Sequence, residues 1–138
     1  MSEYQLRIHR ELDTEKNAVK KIEPYLFELK ESLGIKDETF YNLLIAVSEA
    51  VNNAVFHGNE CNPDKKVIVL IQVNNRDIEV SVSDEGKGFD LSKLEDPREP
   101  ENLLKASGRG VFLINELSHK TNYKIDSSGV TVQMIFHV

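Results

Sequence analysis

The sequence predicts an α+β domain, a mainly antiparallel sheet with helices on one face. Three observations carry this. Strand patterns come in neighbouring pairs joined by short turns at Asn74-Asn75-Arg76 and Ser127-Ser128-Gly129, which is hairpin connectivity. Strands do not alternate with helices as a doubly wound parallel sheet requires. The length of 138 residues fits one compact domain, expected to span the whole chain, with a self-sufficient core.

Each element follows from a local pattern. Residues 3–10 alternate apolar and polar, with Tyr4, Leu6 and Ile8 on one side, and predict a first strand at a sheet edge. Thr14 is placed to cap a helix that runs to Leu33 and stops at Gly34. Asn17, not a glutamate, stands three residues after Thr14, so the capping box is incomplete. Pro24 either kinks this helix or opens a second segment. Asp37 is placed to cap the next helix, in which Phe40, Leu43, Leu44, Val47, Val51, Ala54 and Val55 recur at helical spacing up to Gly58. Strands are expected over 66–73 and 77–84, then an irregular stretch over 85–107 and a short helix over 110–118. Two last strands are expected over 122–126 and 130–138. Irregular stretches as long as 85–107 inside a compact domain are usually functional.

Composition narrows the function classes. Hydrophobic residues at 40% and charged residues at 29% are the balance of a folded globular chain. No apolar run approaches the roughly 20 residues of a membrane span, and Met1-Ser2-Glu3-Tyr4 lacks the character of a secretion signal. One cysteine, Cys61, builds neither a disulfide framework within the chain nor a cysteine-based zinc site. A cytoplasmic protein is expected. Lys and Arg number 17 against 23 Asp and Glu, a net charge of -6, and the longest basic runs are Lys20-Lys21 and Lys65-Lys66. Phosphate-backbone binding needs clustered positive charge, so neither nucleic acid nor an anionic membrane is an expected partner.

Three segments carry candidate chemistry. Glu49, Asn53 and His57 fall at i, i+4 and i+8, one stripe of the second helix, with Ala46 and Ala50 beside it and roughly opposite the Phe40/Val47/Val51 face. A carboxylate, an amide oxygen and an imidazole in a row can supply a proton acceptor and a ligand for a hard cation; a solvated polar face has the same pattern. In the strand ending at Asp84, Ile78, Val80 and Val82 share one parity and Asp84 continues it, so its carboxylate falls on or near the buried face. A buried carboxylate needs a donor, and the exocyclic amine of adenine would serve; an ordinary Asp-initiated turn is the other reading. Gly86 and Gly88 follow, spaced for close approach of a flat ligand. Ser107-Gly108-Arg109-Gly110 then leads into a helix whose N-terminus can bind phosphate, with Arg109 adding charge. The Walker and dinucleotide glycine motifs are absent from the sequence.

In their order and spacing, Glu49-Ala50-Val51-Asn52-Asn53-Ala54-Val55-Phe56-His57-Gly58, Asp84-Glu85-Gly86-Lys87-Gly88-Phe89-Asp90 and Gly108-Arg109-Gly110-Val111-Phe112-Leu113-Ile114 resemble the GHKL ATPase superfamily, the histidine-kinase and gyrase type of ATP-binding domain. The resemblance covers nearly the whole chain. It is strongest to the small stand-alone branch, the bacterial anti-sigma regulatory factors with serine/threonine-protein kinase activity. It implies a two-layer sandwich with a mainly antiparallel, mixed sheet, the Bergerat ATP-binding fold.

The resemblance also implies roles. Glu49 matches the catalytic carboxylate that orients or deprotonates a serine or threonine hydroxyl. Asn53 matches the asparagine that coordinates Mg²⁺ on the ATP phosphates, and Asp84 matches the adenine-recognising aspartate. Gly86 and Gly88 match the glycines beneath base and sugar, and residues 91–107 match the ATP lid. Gly108, Arg109 and Gly110 match the second glycine box at the phosphates, and Thr131 resembles the last-strand threonine near adenine. His57 reads as a helix-end packing residue or a catalytic one, and Cys61 as a loop thiol. The implied function is phosphorylation of a STAS-domain anti-anti-sigma protein with ATP, giving ADP, and control of a sigma factor by partner switching. The helix over 14–33 and the first strand are the implied homodimer or partner surface. A module that binds partners under nucleotide control without kinase activity is the alternative; retention of Glu49 argues against it.

Overall fold

The computed structural model describes residues 6–75, 77–86 and 109–138. Strand β1 (Leu6–Asp13) is followed by helices α1 (Ala18–Leu33) and α2 (Asp37–Asn53), and a π-helical turn over Ala54–Gly58 extends α2. Then come β2 (Lys66–Asn74), β3 (Asp77–Ser83), α3 (Arg109–Leu117), β4 (Lys120–Asp126) and β5 (Gly129–His137). The sheet order is β1-β2-β3-β5-β4, and all four pairings are antiparallel. The α+β expectation therefore holds. Among the described residues the sheet contains no parallel pair, because both tight hairpins and the longer connections return neighbouring strands in opposite directions.

Alternation sets the core. Val67, Val69, Ile71 and Val73 of β2, Ile78, Val80 and Val82 of β3, and Val132, Met134 and Phe136 of β5 are buried. Their neighbours of opposite parity are only half-buried, as a sheet covered on one face requires. Ile22, Leu26 and Leu29 of α1 and Phe40, Leu43, Val47 and Val51 of α2 complete the core. At the outer edge, Arg10 of β1 lies 4.7 Å over the Tyr25 ring and donates from Nε to the Tyr25 hydroxyl at 2.9 Å. This ties β1 to α1.

Several boundaries differ from the sequence expectation. Tyr4 lies outside the described residues, and β1 runs on to Asp13 by pairing with Lys66. Pro24 sits inside one continuous α1, within its first two turns, where only one main-chain hydrogen bond is lost. Thr14 does not cap that helix. The residue at the cap is Asn17, without a side-chain cap bond, because the Thr14 hydroxyl is engaged elsewhere. Gly34 ends α1 at φ 63°, and Ile35 N–H returns to Lys30 O at 3.0 Å, the left-handed C-cap expected of glycine. Asp37 is the first residue of α2 rather than its cap. There it favours the helix dipole and pairs with Lys30 at 2.9 Å.

Candidate functional site

The site grows from the end of β3. Asp84 prolongs the ladder, donating its N–H to Val130 O at 3.0 Å. Its Oδ1 accepts from Gly86 N–H at 3.0 Å and from Val130 N–H at 3.2 Å. Among the described residues, Oδ2 accepts no hydrogen bond. Burial pushes the carboxyl above the usual carboxylate range, against the pull of the two amides and the Lys65 charge. As strand parity predicts, this carboxylate lies at the buried face, half-buried.

Three glycines enclose it. A β-carbon on Gly58 would lie 2.0 Å from Asp84 Oδ2, one on Gly86 would lie 2.0 Å from Gly58 O, and one on Gly129 would lie 2.4 Å from Asp84 O. None of these positions has room for a side chain. Gly86 packs against the Gly58 carbonyl, and Gly58 and Gly129 share in the enclosure of Asp84. Gly58 therefore does more than stop the helix, and Gly129 more than close the hairpin turn.

Glu49 and Asn53 are half-buried on α2. The reading of this stripe as a fully solvated polar face does not hold for Glu49 and Asn53. Ala46 and Ala50 beside the stripe are buried at 0% and 2% exposure, and α2 makes its most extensive helix contact with α3. Small residues permit that approach, and Glu49 and Asn53 are left at the margin of a covered helix. His57 falls on the π-helical turn and is exposed, so it leaves the Glu49–Asn53 register. With about 1.5 Å of rise per residue, the stretch from Glu49 through Asn53 to Gly58, which touches Asp84, extends over roughly 13 Å. An elongated ligand lying along it would meet the carboxylate of Asp84 first, then the amide of Asn53, then the carboxylate of Glu49.

Thr131 is not brought to the Asp84 carboxylate. It pairs with Ser83 in register, and the two hydroxyls lie 2.8 Å apart. Alternation puts both on the sheet face opposite Val82 and Val132. The β5 group that reaches Asp84 is the Val130 N–H. Arg109 and Gly110 form the first turn of α3, as a phosphate-binding helix start requires. Gly88, Gly108 and the expected lid over 91–107 lie outside the described residues.

Asn59 is a residue that the sequence reading missed. It is 1% exposed, donates to Thr14 Oγ1 and Lys66 O, and accepts from Glu85 N–H. Nothing in a polar residue after a helix-ending glycine marks it as buried. A concavity of about 220 Å³ beside it is lined by Gly58, Asn59, Glu60, Asn62 and Lys65. Among the described residues, no three His, Cys, Asp or Glu side chains are grouped to hold a metal ion. An oxygen such as that of Asn53 instead suits Mg²⁺ carried in on a nucleotide's phosphates, since this ion keeps most of its shell as water and phosphate oxygen.

The chain matches the family model described as the histidine kinase-like ATPase domain over residues 12–136. It is 33% identical to the serine-protein kinase RsbW of Oceanobacillus iheyensis over 109 residues, 74% of this chain and 68% of that protein. It is 32% identical to RsbW of Listeria monocytogenes over 76% of this chain and 70% of that protein. It is 31% identical to the anti-sigma F factor of Anoxybacillus flavithermus over 67% and 65%. The match thus spans about two thirds of these relatives' length. In structure it resembles the RsbU and RsbW domains of Rv1364c from Mycobacterium tuberculosis, with a TM-score of 0.71, 19% identity, 96% of this chain and 32% of that one. The chain belongs to the histidine kinase-like ATPase family, on the branch that holds the RsbW serine-protein kinases and the anti-sigma F factor.

Proposed function

We propose that this protein is an anti-sigma regulatory factor and an ATP-dependent serine/threonine-protein kinase. It phosphorylates a STAS-domain anti-anti-sigma protein and controls a sigma factor by partner switching. The observation that carries nucleotide use is the Asp84 carboxylate, held through Oδ1 by two backbone amides, with Oδ2 accepting no hydrogen bond among the described residues and walled by glycine. Such an acceptor suits the exocyclic amine of adenine. The kinase reading rests on family membership together with Glu49, one helical turn from Asn53.

Each residue then has a task. Asp84 accepts from the adenine amine, and Gly58 and Gly86 let the base approach. Asn53 offers its amide oxygen to Mg²⁺, which neutralises phosphate charge when bound. Arg109 and Gly110 present the start of α3 to the phosphates. Glu49 takes the proton of the protein substrate's hydroxyl as its oxygen attacks the γ-phosphorus. The bond to the β–γ bridging oxygen breaks, and ADP and a phosphoprotein result. We place the protein in the cytoplasm as a homodimer; no helix of the described residues is long and apolar enough to cross a membrane.

Transfer of labelled γ-phosphate from Mg-ATP to proteins of a host lysate tests this. Wild type is run beside Glu49→Ala, with Asp84→Ala as the binding control. One small protein labelled on serine or threonine by wild type alone is the expected result. ATP binding without Glu49-dependent label would instead identify a nucleotide-gated binding module.

A further inference from the structure

The geometry points to Asn59 as a positioning residue for the base-recognising turn, one that sets nucleotide selectivity without touching the nucleotide. The inference rests on the reading of Asp84 as the adenine contact. Asn59 Nδ2 donates to Thr14 Oγ1 at 3.0 Å and to Lys66 O at 2.9 Å, while Oδ1 accepts from Glu85 N–H at 2.8 Å. Both amide hydrogens and the amide oxygen are therefore used, at 1% exposure. A fully satisfied buried amide fixes the groups around it, and the arm to Thr14, itself buried, would strand a buried hydroxyl if left unmade.

The three arms reach separate parts of the chain. Thr14 lies between β1 and α1, and its own hydroxyl donates to Lys65 O at 2.6 Å. Lys66 opens β2. Glu85 is the middle residue of the Asp84–Gly86 turn. Its N–H belongs to the peptide bond that leaves Asp84, so the bond from Asn59 fixes the plane of that peptide. The Gly86 N–H bond to Asp84 Oδ1 then closes the turn. On the other side, Asn59 N–H is bound to Ala54 O at 2.8 Å, which anchors it to the π-helical turn that ends in Gly58. One side chain thus holds the Gly58 wall and the Asp84 turn in fixed relation, and so sets where Oδ2 points.

Purine selectivity reads that direction. Adenine presents an amine donor where guanine presents a carbonyl oxygen, which a carboxylate repels. Serine is too short to span to Glu85, and alanine has no polar atom. Aspartate keeps the acceptor for Glu85 N–H but loses both donors.

The test is calorimetric titration of Mg-ADP and Mg-GDP into wild type, Asn59→Ala, Asn59→Asp and Thr14→Val, with thermal unfolding of each. Wild type is expected to prefer ADP. Asn59→Ala should reduce that preference by about tenfold. Asn59→Asp and Thr14→Val should unfold at lower temperature yet keep the preference within about twofold. Asn59→Ser replaces Asn59→Ala, with the same expectation, if the latter does not fold. A folded Ala or Ser variant with unchanged preference, or an Asp variant that loses as much as Ala, overturns the inference and leaves the Asp84 reading intact. A wild type that does not distinguish ADP from GDP overturns the Asp84 reading and this inference with it.

Discussion

Gly58 and Asp84 are packed so closely that a β-carbon on Gly58 would lie 2.0 Å from Asp84 Oδ2 and 2.8 Å from Asp84 Cβ. The helix end and the strand end therefore meet without an intervening side chain. Gly58→Ala must push the carboxylate out of place. It should lower nucleotide affinity more than tenfold and destabilise by about 1–3 kcal/mol, the range for overpacking. Gly34→Ala is the control. Nothing lies within 4 Å of a β-carbon there, but φ is +63°, so it should destabilise by about 1 kcal/mol and leave ADP titration unchanged.

Asp84 itself predicts a conflict between stability and binding. Burial raises its carboxyl above 3.8, so the folded protein binds that proton more readily than the unfolded chain does. The stability contributed is greatest below about pH 3.8 and is lost as pH rises through the raised value. At pH 7 the charged carboxylate is a burden on the fold. Asn keeps an oxygen for the Gly86 and Val130 amides and has no charge. Asp84→Asn should therefore unfold at the same or a higher temperature than wild type at pH 7. The difference should shrink toward pH 3, while adenine nucleotide binding falls. A variant less stable at pH 7 than at pH 3, relative to wild type, would contradict this sign.

Much of this site is written locally, and the rest depends on partners distant in the chain. The parity that runs through Ile78, Val80 and Val82 places Asp84 without any tertiary knowledge, and the same alternation gives β2 and β5. The α2 stripe is different. Helical periodicity puts Glu49 and Asn53 on one face, but whether that face is solvated depends on how α3, distant in the chain, packs against α2. Asn59 and Thr14 are joined across 45 positions, and no local pattern encodes such a pair. Thr131 shows the hazard of a short motif. One position along a strand turns a side chain to the other face, and here the backbone of Val130 reaches Asp84.

Glu49 separates chemistry from binding. It stands on a covered helix at the far end of the Asp84-to-Glu49 line, so Glu49→Gln keeps shape and hydrogen-bonding capacity while removing the proposed base. Phosphoryl transfer to the protein substrate should fall by about 10²–10⁴-fold, the usual contribution of a general base. Affinity for ADP should stay within about twofold. Single-turnover transfer and equilibrium titration on the same preparation distinguish this from a binding defect.

Tyr123 offers a stability test away from the nucleotide. It pairs with Val132 in register, and Thr121 pairs with Met134, so both belong to the core-facing side of β4. The hydroxyl oxygens of Ser118, Thr121 and Tyr123 are buried with no hydrogen-bond partner among the described residues. Burial pushes the Tyr123 phenol up to about 12. An unpaired buried hydroxyl costs about 1–3 kcal/mol, so Tyr123→Phe should stabilise by about 1 kcal/mol and raise Tm by about 4 °C. The sign with pH is set by the raised phenol. The folded state holds the proton more tightly than the unfolded chain, so wild type loses stability as pH climbs from 10 toward 12. Phe cannot ionise, and the advantage of Tyr123→Phe should widen over that interval in thermal scans. A Phe variant less stable than wild type at pH 7 would mean that the hydroxyl finds a partner in solution and would overturn the prediction.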